Sequence, residues 1–313
     1  MSAPPPLKHS DMKHFLSLAD ITTDQFNDLM ELAITLKREL KNDGKNRPLL
    51  AGKNLGMIFQ KPSLRTRVSF EAGMNQLGGA ALYLSPNEIQ LGKRESVADV
   101  ARVLGRYVNG IMARVFAHQD IVDLATYSPV PVINGLSDYN HPCQGLADYL
   151  TMLEAWGSFE GRTLAYVGDG NNVLTSLING AIHTGMTIHA ATPEGYEPPA
   201  DVLAYAKERG VTVNVFTDPR TAVEAVDALY TDVWTSMGQE EESAQRLKVF
   251  PPYQINESLL AHAKADAIVL HCLPAHRGEE ITNGVADGAN SRLWDQAENR
   301  LHAQKALLVR LLG

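Results

Sequence analysis

Apolar positions along the chain alternate between two kinds of pattern. Phe26, Leu29, Met30, Ala33, Leu36 and Leu40 recur at helical spacing, and Thr22 with Gln25 three residues on makes a capping box ahead of them. A continuous apolar run follows, Leu55-Gly56-Met57-Ile58-Phe59, of the kind that forms a strand buried on both faces. It stops at Pro62. Ser63 then stands where a helix N-cap is wanted, and Leu64, Val68 and Ala72 continue at four-residue spacing. Beyond this strand–turn–helix the pattern predicts a strand at 81–84, a polar loop at 85–94 and a helix at 96–106. A strand ending at Arg114, a helix near Gln119 and a strand at 130–134 come next. A helix at 142–156 is closed by Gly157, and the alternation restarts with strands at 162–167, 187–191, 211–216, 228–231 and 267–271. The last segment, 296–312, reads as helix.

Strands alternating with helices predict an α/β fold of crossover units. We expect two doubly wound parallel-sheet domains, residues 1–141 and 142–295, joined by interdomain helices around 142–156. The closing helix, 296–313, is expected to pack back on the first domain. A cleft between the two would be the natural place for a small-molecule site.

Composition narrows the function. At 313 residues two domains are the natural prior, and 44% hydrophobic with 20% charged residues is ordinary globular composition. A formal charge of −8 argues against a nucleic-acid or membrane-surface binder, and makes a local arginine cluster more telling. Cys143 and Cys272 offer neither a zinc spacing nor a disulfide framework, which suits a reducing cytoplasm. There is no apolar run long enough for a bilayer and no signal-peptide pattern, and the first ten residues, with Pro4-Pro5-Pro6, read as a loose tail.

The polar residues gather where strands end, and in open parallel sheets ligands bind beyond those carboxyl ends. The first such turn, Ser63-Leu64-Arg65-Thr66-Arg67, combines free backbone N–H groups and the positive end of a helix dipole with two guanidinium groups and two hydroxyls. Cations there oppose the dipole unless an anion is held, so the turn predicts a phosphate site. Later strands lead to Arg114, to His141-Pro142-Cys143-Gln144 and to Asp169-Gly170-Asn171-Asn172. The last two lead to Asp232 with Ser236-Met237-Gly238, and to His271-Cys272-Leu273-Pro274. The first half thus offers cations, the second a carboxylate, amides and a thiol. A phosphorylated anion and an amine-bearing ligand would fit that division. Plainer roles exist for each: His141 or Asp232 as a helix cap, Cys272 as a small buried apolar residue. Gly168-Asp169-Gly170-Asn171-Asn172 lacks the third glycine of the dinucleotide fingerprint, which weakens a dehydrogenase reading.

Four of these motifs, in this order, resemble the aspartate/ornithine carbamoyltransferase family, and within it the ornithine branch, over nearly the whole chain from His14 to Leu312. The motifs are Ser63-Leu64-Arg65-Thr66-Arg67, His141-Pro142-Cys143-Gln144, Asp232-Val233-Trp234-Thr235-Ser236-Met237-Gly238 and His271-Cys272-Leu273-Pro274. Leu64 departs from the threonine often found in the family, at a position where the backbone N–H matters most. The resemblance implies transfer of a carbamoyl group from carbamoyl phosphate to the side-chain amine of L-ornithine, giving L-citrulline and phosphate, in arginine metabolism and with no metal or organic cofactor. Ser63, Leu64, Arg65 and Thr66 would hold the phosphate, with Arg67 beside them as it leaves. Arg114 and His141, with Thr66, would face the carbonyl oxygen. Gln144, Arg300 and the backbone of Cys272 and Leu273 would take the amino end. Gln90 would serve a neighbouring subunit's site, implying a homotrimer with shared active sites. Asn172, Asp232, Ser236 and Met237 would bind the amino-acid end of ornithine, with Cys272 near its amine and Cys272 and Asp232 as candidate proton acceptors. Ala275 follows Pro274 where an aspartate-specific relative would be expected to carry arginine. The alternatives are a sister enzyme with another amine acceptor and a non-catalytic regulatory paralogue.

Overall fold

The computed structural model describes residues 12–235 and 240–313. By contact density the described chain divides into two compact units. One takes residues 12–16, 20–135 and 301–313, the other 17–19 and 136–300. The first contains α1 (Thr23–Asp43), β1 (Asn54–Phe59), α2 (Leu64–Gln76), β2 (Ala80–Leu84), α3 (Pro86–Ile89), α4 (Val97–Leu104), β3 (Gly110–Arg114), α5 (His118–Tyr127) and β4 (Val132–Leu136). The second opens with α6 (Pro142–Trp156), β5 (Thr163–Val167), α7 (Asn172–Thr184), β6 (Thr187–Ala191), α8 (Ala200–Glu208) and β7 (Val213–Phe216). It continues through α9 (Pro219–Val223), β8 (Ala228–Thr231), α10 (Ser243–Val249), α11 (Glu257–Leu260), β9 (Ile268–His271) and α12 (Asn283–Ala286). The partition falls within the closing helix, α13 (Leu293–Leu312).

The first sheet has the order β2-β1-β3-β4, and β1 pairs parallel with both β2 and β3. The second has the order β7-β6-β5-β8-β9, with all four pairs parallel. Each order reverses direction once, between β1 and β3 and between β5 and β8. Those reversals are the switch points at which a parallel sheet leaves a crevice beyond its carboxyl ends. The central strands are apolar because helices cover both faces: Leu55, Met57, Ile58 and Phe59 of β1 are buried, as is all of β8.

Several boundaries differ from the sequence reading. The segment 85–94 contains α3, started by a capping box of Ser85 and Glu88. β4 begins at Val132 because Val130 is held in a turn, its N–H donating to Ser128 Oγ (3.2 Å). β7 starts at Val213, and α13 three residues before the predicted start. The Leu64–Val68 stripe of α2 faces outward, with Leu64 76% and Val68 51% exposed, while Thr66, Phe70, Gly73 and Met74 are buried. Two stripes with the same period run along that helix, so periodicity alone marks a helix without saying which stripe is buried.

Candidate active site

In the first unit, the polar groups collect at the switch point between β1 and β3. Phe59 pairs with Arg114, and the Gln60 N–H donates to the Arg114 carbonyl (2.8 Å), so the strand ends stay in register as they enter the turn. Ser63 caps α2, its Oγ accepting from the Thr66 N–H (3.3 Å) and donating to Thr66 Oγ1 (3.2 Å). Thr66 and Arg114 are buried, while no described residue pairs with the Arg65 guanidinium. Arg67 is drawn elsewhere: its Nε donates to Glu71 (3.0 Å) and its guanidinium lies 4.0 Å from the Tyr83 ring centre. The expectation that both arginines serve the turn is therefore narrowed to Arg65. Gln90, in left-handed backbone (φ 44°), is exposed and lines a recess of about 390 Å³ with Gln60, Lys93 and Phe116. None of Ser63, Leu64, Arg65 and Thr66 lines that recess.

In the second unit, the switch point between β5 and β8 carries a hydrogen-bonded acidic cluster. Asp232 directly follows β8, and its Oδ1 accepts from Cys272 Sγ (2.8 Å) and from the Val233 N–H (2.8 Å). Its Oδ2 accepts from Asn171 Nδ2 (2.8 Å). Asn171 in turn caps α7, its Oδ1 accepting from the N–H groups of Val173 (2.9 Å) and Leu174 (3.3 Å) and from the Tyr166 hydroxyl (3.1 Å). Burial, then the charges of Asp232, Cys272 and Asp169, push the Tyr166 hydroxyl well above its ordinary pKa and keep it a donor. Gly170 is required there, since a Cβ would come within 2.4 Å of the Glu197 backbone. Because the Asn171 side chain fills the N-terminus of α7, those N–H groups are not open to a pyrophosphate, which removes the dinucleotide reading.

Around this cluster, His271 Nδ1 accepts from the Leu273 N–H (2.8 Å) and its Nε2 pairs with Glu280 (2.9 Å). An N–H pointing at Nδ1 fixes the tautomer with hydrogen on Nε2. With both nitrogens engaged, the Asp232, His271 and Cys272 trio is not a ready ligand set for a metal. The same bond consumes the Leu273 N–H and holds Leu273 at φ 58°, so Cys272 and Leu273 have backbone carbonyls to offer rather than the Leu273 amide. His141 is buried, makes no side-chain cap on α6, and its N–H donates to Ser176 Oγ (2.8 Å). Arg300 Nη1 donates to Gln144 Oε1 (3.0 Å). The thiols differ: burial pushes Cys143 up to about 12, an inert packing residue, whereas Cys272 is only partly buried.

Sequence profiles identify the chain. The model described as "Aspartate/ornithine carbamoyltransferase, carbamoyl-P binding domain" matches residues 13–154, and that for the family's "Asp/Orn binding domain" matches residues 160–311. The chain belongs to the aspartate/ornithine carbamoyltransferase family. Its carbamoyltransferase relatives include the ornithine carbamoyltransferases of Pyrococcus horikoshii, 53% identical over 96% of each chain, and of Methanocorpusculum labreanum, 52% identical over 96% of this chain and 98% of that one. The solved structure of ornithine carbamoyltransferase from Pyrococcus furiosus superposes with a TM-score of 0.93 at 53% identity, covering 96% of this chain and 97% of that one.

Among the carbamoyltransferase residues expected from sequence, Asp232 and Cys272 meet directly, as do Gln144 and Arg300. Asn172 is tied by its Nδ2 to the Ser137 carbonyl (2.7 Å), and the amide that touches Asp232 belongs to its neighbour Asn171. Ser236 and Met237 lie outside the described residues. Sequence reasoning passed over Arg246, whose Nη1 donates to the Trp234 carbonyl (2.8 Å) and to the buried Asp169 (2.8 Å) just ahead of the 236–239 segment. The signal available in the sequence was Glu242 four residues ahead of Arg246, the spacing of a helical ion pair, and that pair forms (2.9 Å). Among the described residues, no helix is long and apolar enough to cross a membrane.

Proposed function

We propose that this carbamoyltransferase transfers the carbamoyl group of carbamoyl phosphate to the side-chain amine of L-ornithine. The C–N bond forms as the bond from the carbonyl carbon to the phosphate oxygen breaks; phosphate leaves with the electron pair, and the proton shed by the attacking nitrogen passes to the departing phosphate or to the Cys272–Asp232 pair. Ser63, the Leu64 N–H, Arg65 and Thr66 hold the phosphate, supported by the Leu64 and Arg65 N–H groups that the Ser63 cap does not engage and by the uncommitted Arg65 guanidinium. Arg114 and His141 stabilise charge on the carbonyl oxygen. Gln144, Arg300 and the carbonyls of Cys272 and Leu273 accept or flank the amino end. Asn172, Asp232, Ser236 and Met237 bind the amino-acid end of ornithine, with Cys272 at its amine. Residues 1–141 with 296–313 then form the carbamoyl phosphate domain and 142–295 the ornithine domain, from which Gln144, Cys272 and Leu273 also reach the carbamoyl amino end. Gln90, exposed beside its recess, acts in a neighbouring subunit of a homotrimer.

One observation carries the acceptor assignment: the Cys272–Asp232–Asn171 cluster, a thiol and carboxylate joined at 2.8 Å. It suits a cationic amine and repels a second carboxylate, so aspartate is disfavoured as acceptor. Ornithine's ammonium must lose a proton before attack, and its free pKa lies near that of lysine, about 10.4. Desolvation and the neighbouring cations lower it. Purified protein should form citrulline from carbamoyl phosphate and ornithine, with aspartate, putrescine and N-acetylornithine as poor acceptors. Preference for any of these three over ornithine would overturn the assignment.

A further inference from the structure

Asp148 lies on α6 four residues after Gln144 and is fully buried, and no role has been given to it so far. Its Oδ1 accepts from Gln144 Nε2 (2.7 Å) and from Gln296 Nε2 (2.7 Å), and its Oδ2 accepts from the Tyr230 hydroxyl (3.1 Å). The two glutamines each turn their oxygen away from it. Gln144 Oε1 accepts from Arg300 (3.0 Å), and Gln296 Oε1 accepts from the His271 N–H (2.8 Å).

A glutamine amide is nearly symmetric in shape, so its orientation is set by its partners rather than by packing. An ionised carboxylate only accepts, which forces both Nε2 groups toward Asp148 and both Oε1 atoms outward. One outward oxygen meets Arg300. The other holds the end of β9, from which His271 passes a second bond to Leu273. Both segments assigned to the carbamoyl amino end therefore converge on one buried charge.

We propose that Asp148 is a positioning residue for the carbamoyl site, fixing through Gln144 and Gln296 the acceptor oxygens that face the carbamoyl amino group. The proposal rests on the assignment of that amino group to Gln144, Arg300 and the 272–273 carbonyls. Burial of a carboxylate is costly unless it is fully hydrogen-bonded. Here burial outweighs the pull of three donors and of Arg300, raising the carboxyl from 3.8 to about 7.

The test is a double-mutant cycle of D148N and Q144A, with initial rates measured over both substrates. Asn keeps the shape but brings a donor into a ring of donors. D148N should lower kcat/KM for carbamoyl phosphate about 100-fold, the scale of a misplaced reacting group, while the KM for ornithine stays put. In the Q144A background the same change should cost clearly less than in the wild type, since one of the two glutamines through which it acts is gone. A purely structural Asp148 would give additive losses shared by both substrates, and full activity in D148N would likewise overturn the proposal. If Q144A itself leaves carbamoyl phosphate kinetics unchanged, the assignment of the amino end falls instead. Should D148N fail to fold, Q296M carries the same test, with its loss again confined to carbamoyl phosphate if the proposal holds and shared by both substrates if it does not.

Discussion

Replacing Asp232 by asparagine probes the acceptor site with almost no change in shape. Asp232 receives three donors: Val233 N–H and Cys272 Sγ on Oδ1, and Asn171 Nδ2 on Oδ2, each at 2.8 Å. An asparagine has one oxygen to offer, so its NH₂ must face either Asn171 Nδ2 or the Val233 N–H. Asn171 cannot turn its amide to compensate, because its Oδ1 already holds Val173, Leu174 and Tyr166. One buried donor is left without an acceptor whichever way the new amide lies, a cost of about 1–3 kcal/mol to folding. Separately, the ornithine ammonium loses its charged partner, and a charge-assisted hydrogen bond contributes about 1.5–3 kcal/mol. We expect kcat/KM for ornithine to fall roughly 10- to 150-fold, at 1.4 kcal/mol per tenfold, with the KM for carbamoyl phosphate unchanged. Citrulline formation with each substrate varied in turn reads both quantities. A loss confined to carbamoyl phosphate, or undiminished use of ornithine, would refute the reasoning.

Two further outcomes follow from the same structure. Arg65→Ala should weaken carbamoyl phosphate by about 3 kcal/mol, because the departing dianion loses a guanidinium that no described residue shares; inhibition by inorganic phosphate should weaken in parallel, and unchanged inhibition would count against the phosphate turn. Asp148, raised from 3.8 to about 7 by burial, holds a proton in the folded chain where the unfolded chain has released it. Its contribution to stability is thus full near pH 4 and disappears as pH rises through about 7, a swing of about 4 kcal/mol. Urea unfolding of wild type against D148N across that interval should show the difference shrinking, while wild-type activity climbs as the carboxylate ionises.

The elements with sharp punctuation were legible in the sequence. Helix α6 runs from Pro142 to Trp156 and is closed by Gly157 in left-handed backbone, and β8 spans Ala228–Thr231, both as the pattern predicts. Proline at a helix start and glycine past its end act through local backbone geometry, so they survive without tertiary context. The Ser63 cap and Arg65 turn were readable for the same reason. The outward face of α2 was not, because two equivalent stripes share one helix and only the sheet beneath chooses between them.

What the sequence alone determined was the alternation of strands and helices, the anion-binding turn after β1 and the set of polar groups at strand ends. Which of those groups touch was set by strand order. The arrangement β7-β6-β5-β8-β9 brings Asn171 and Cys272 onto Asp232 from 61 and 40 residues away, and joins Asp148 to Gln296 across 148. Local propensity carries no information about such pairings, since hydrogen-bond closure between distant segments exists only once the sheet has formed. The choice of Asn171 over Asn172 as the partner of Asp232 has the same origin: two identical side chains in sequence, separated by the helix cap that one of them makes.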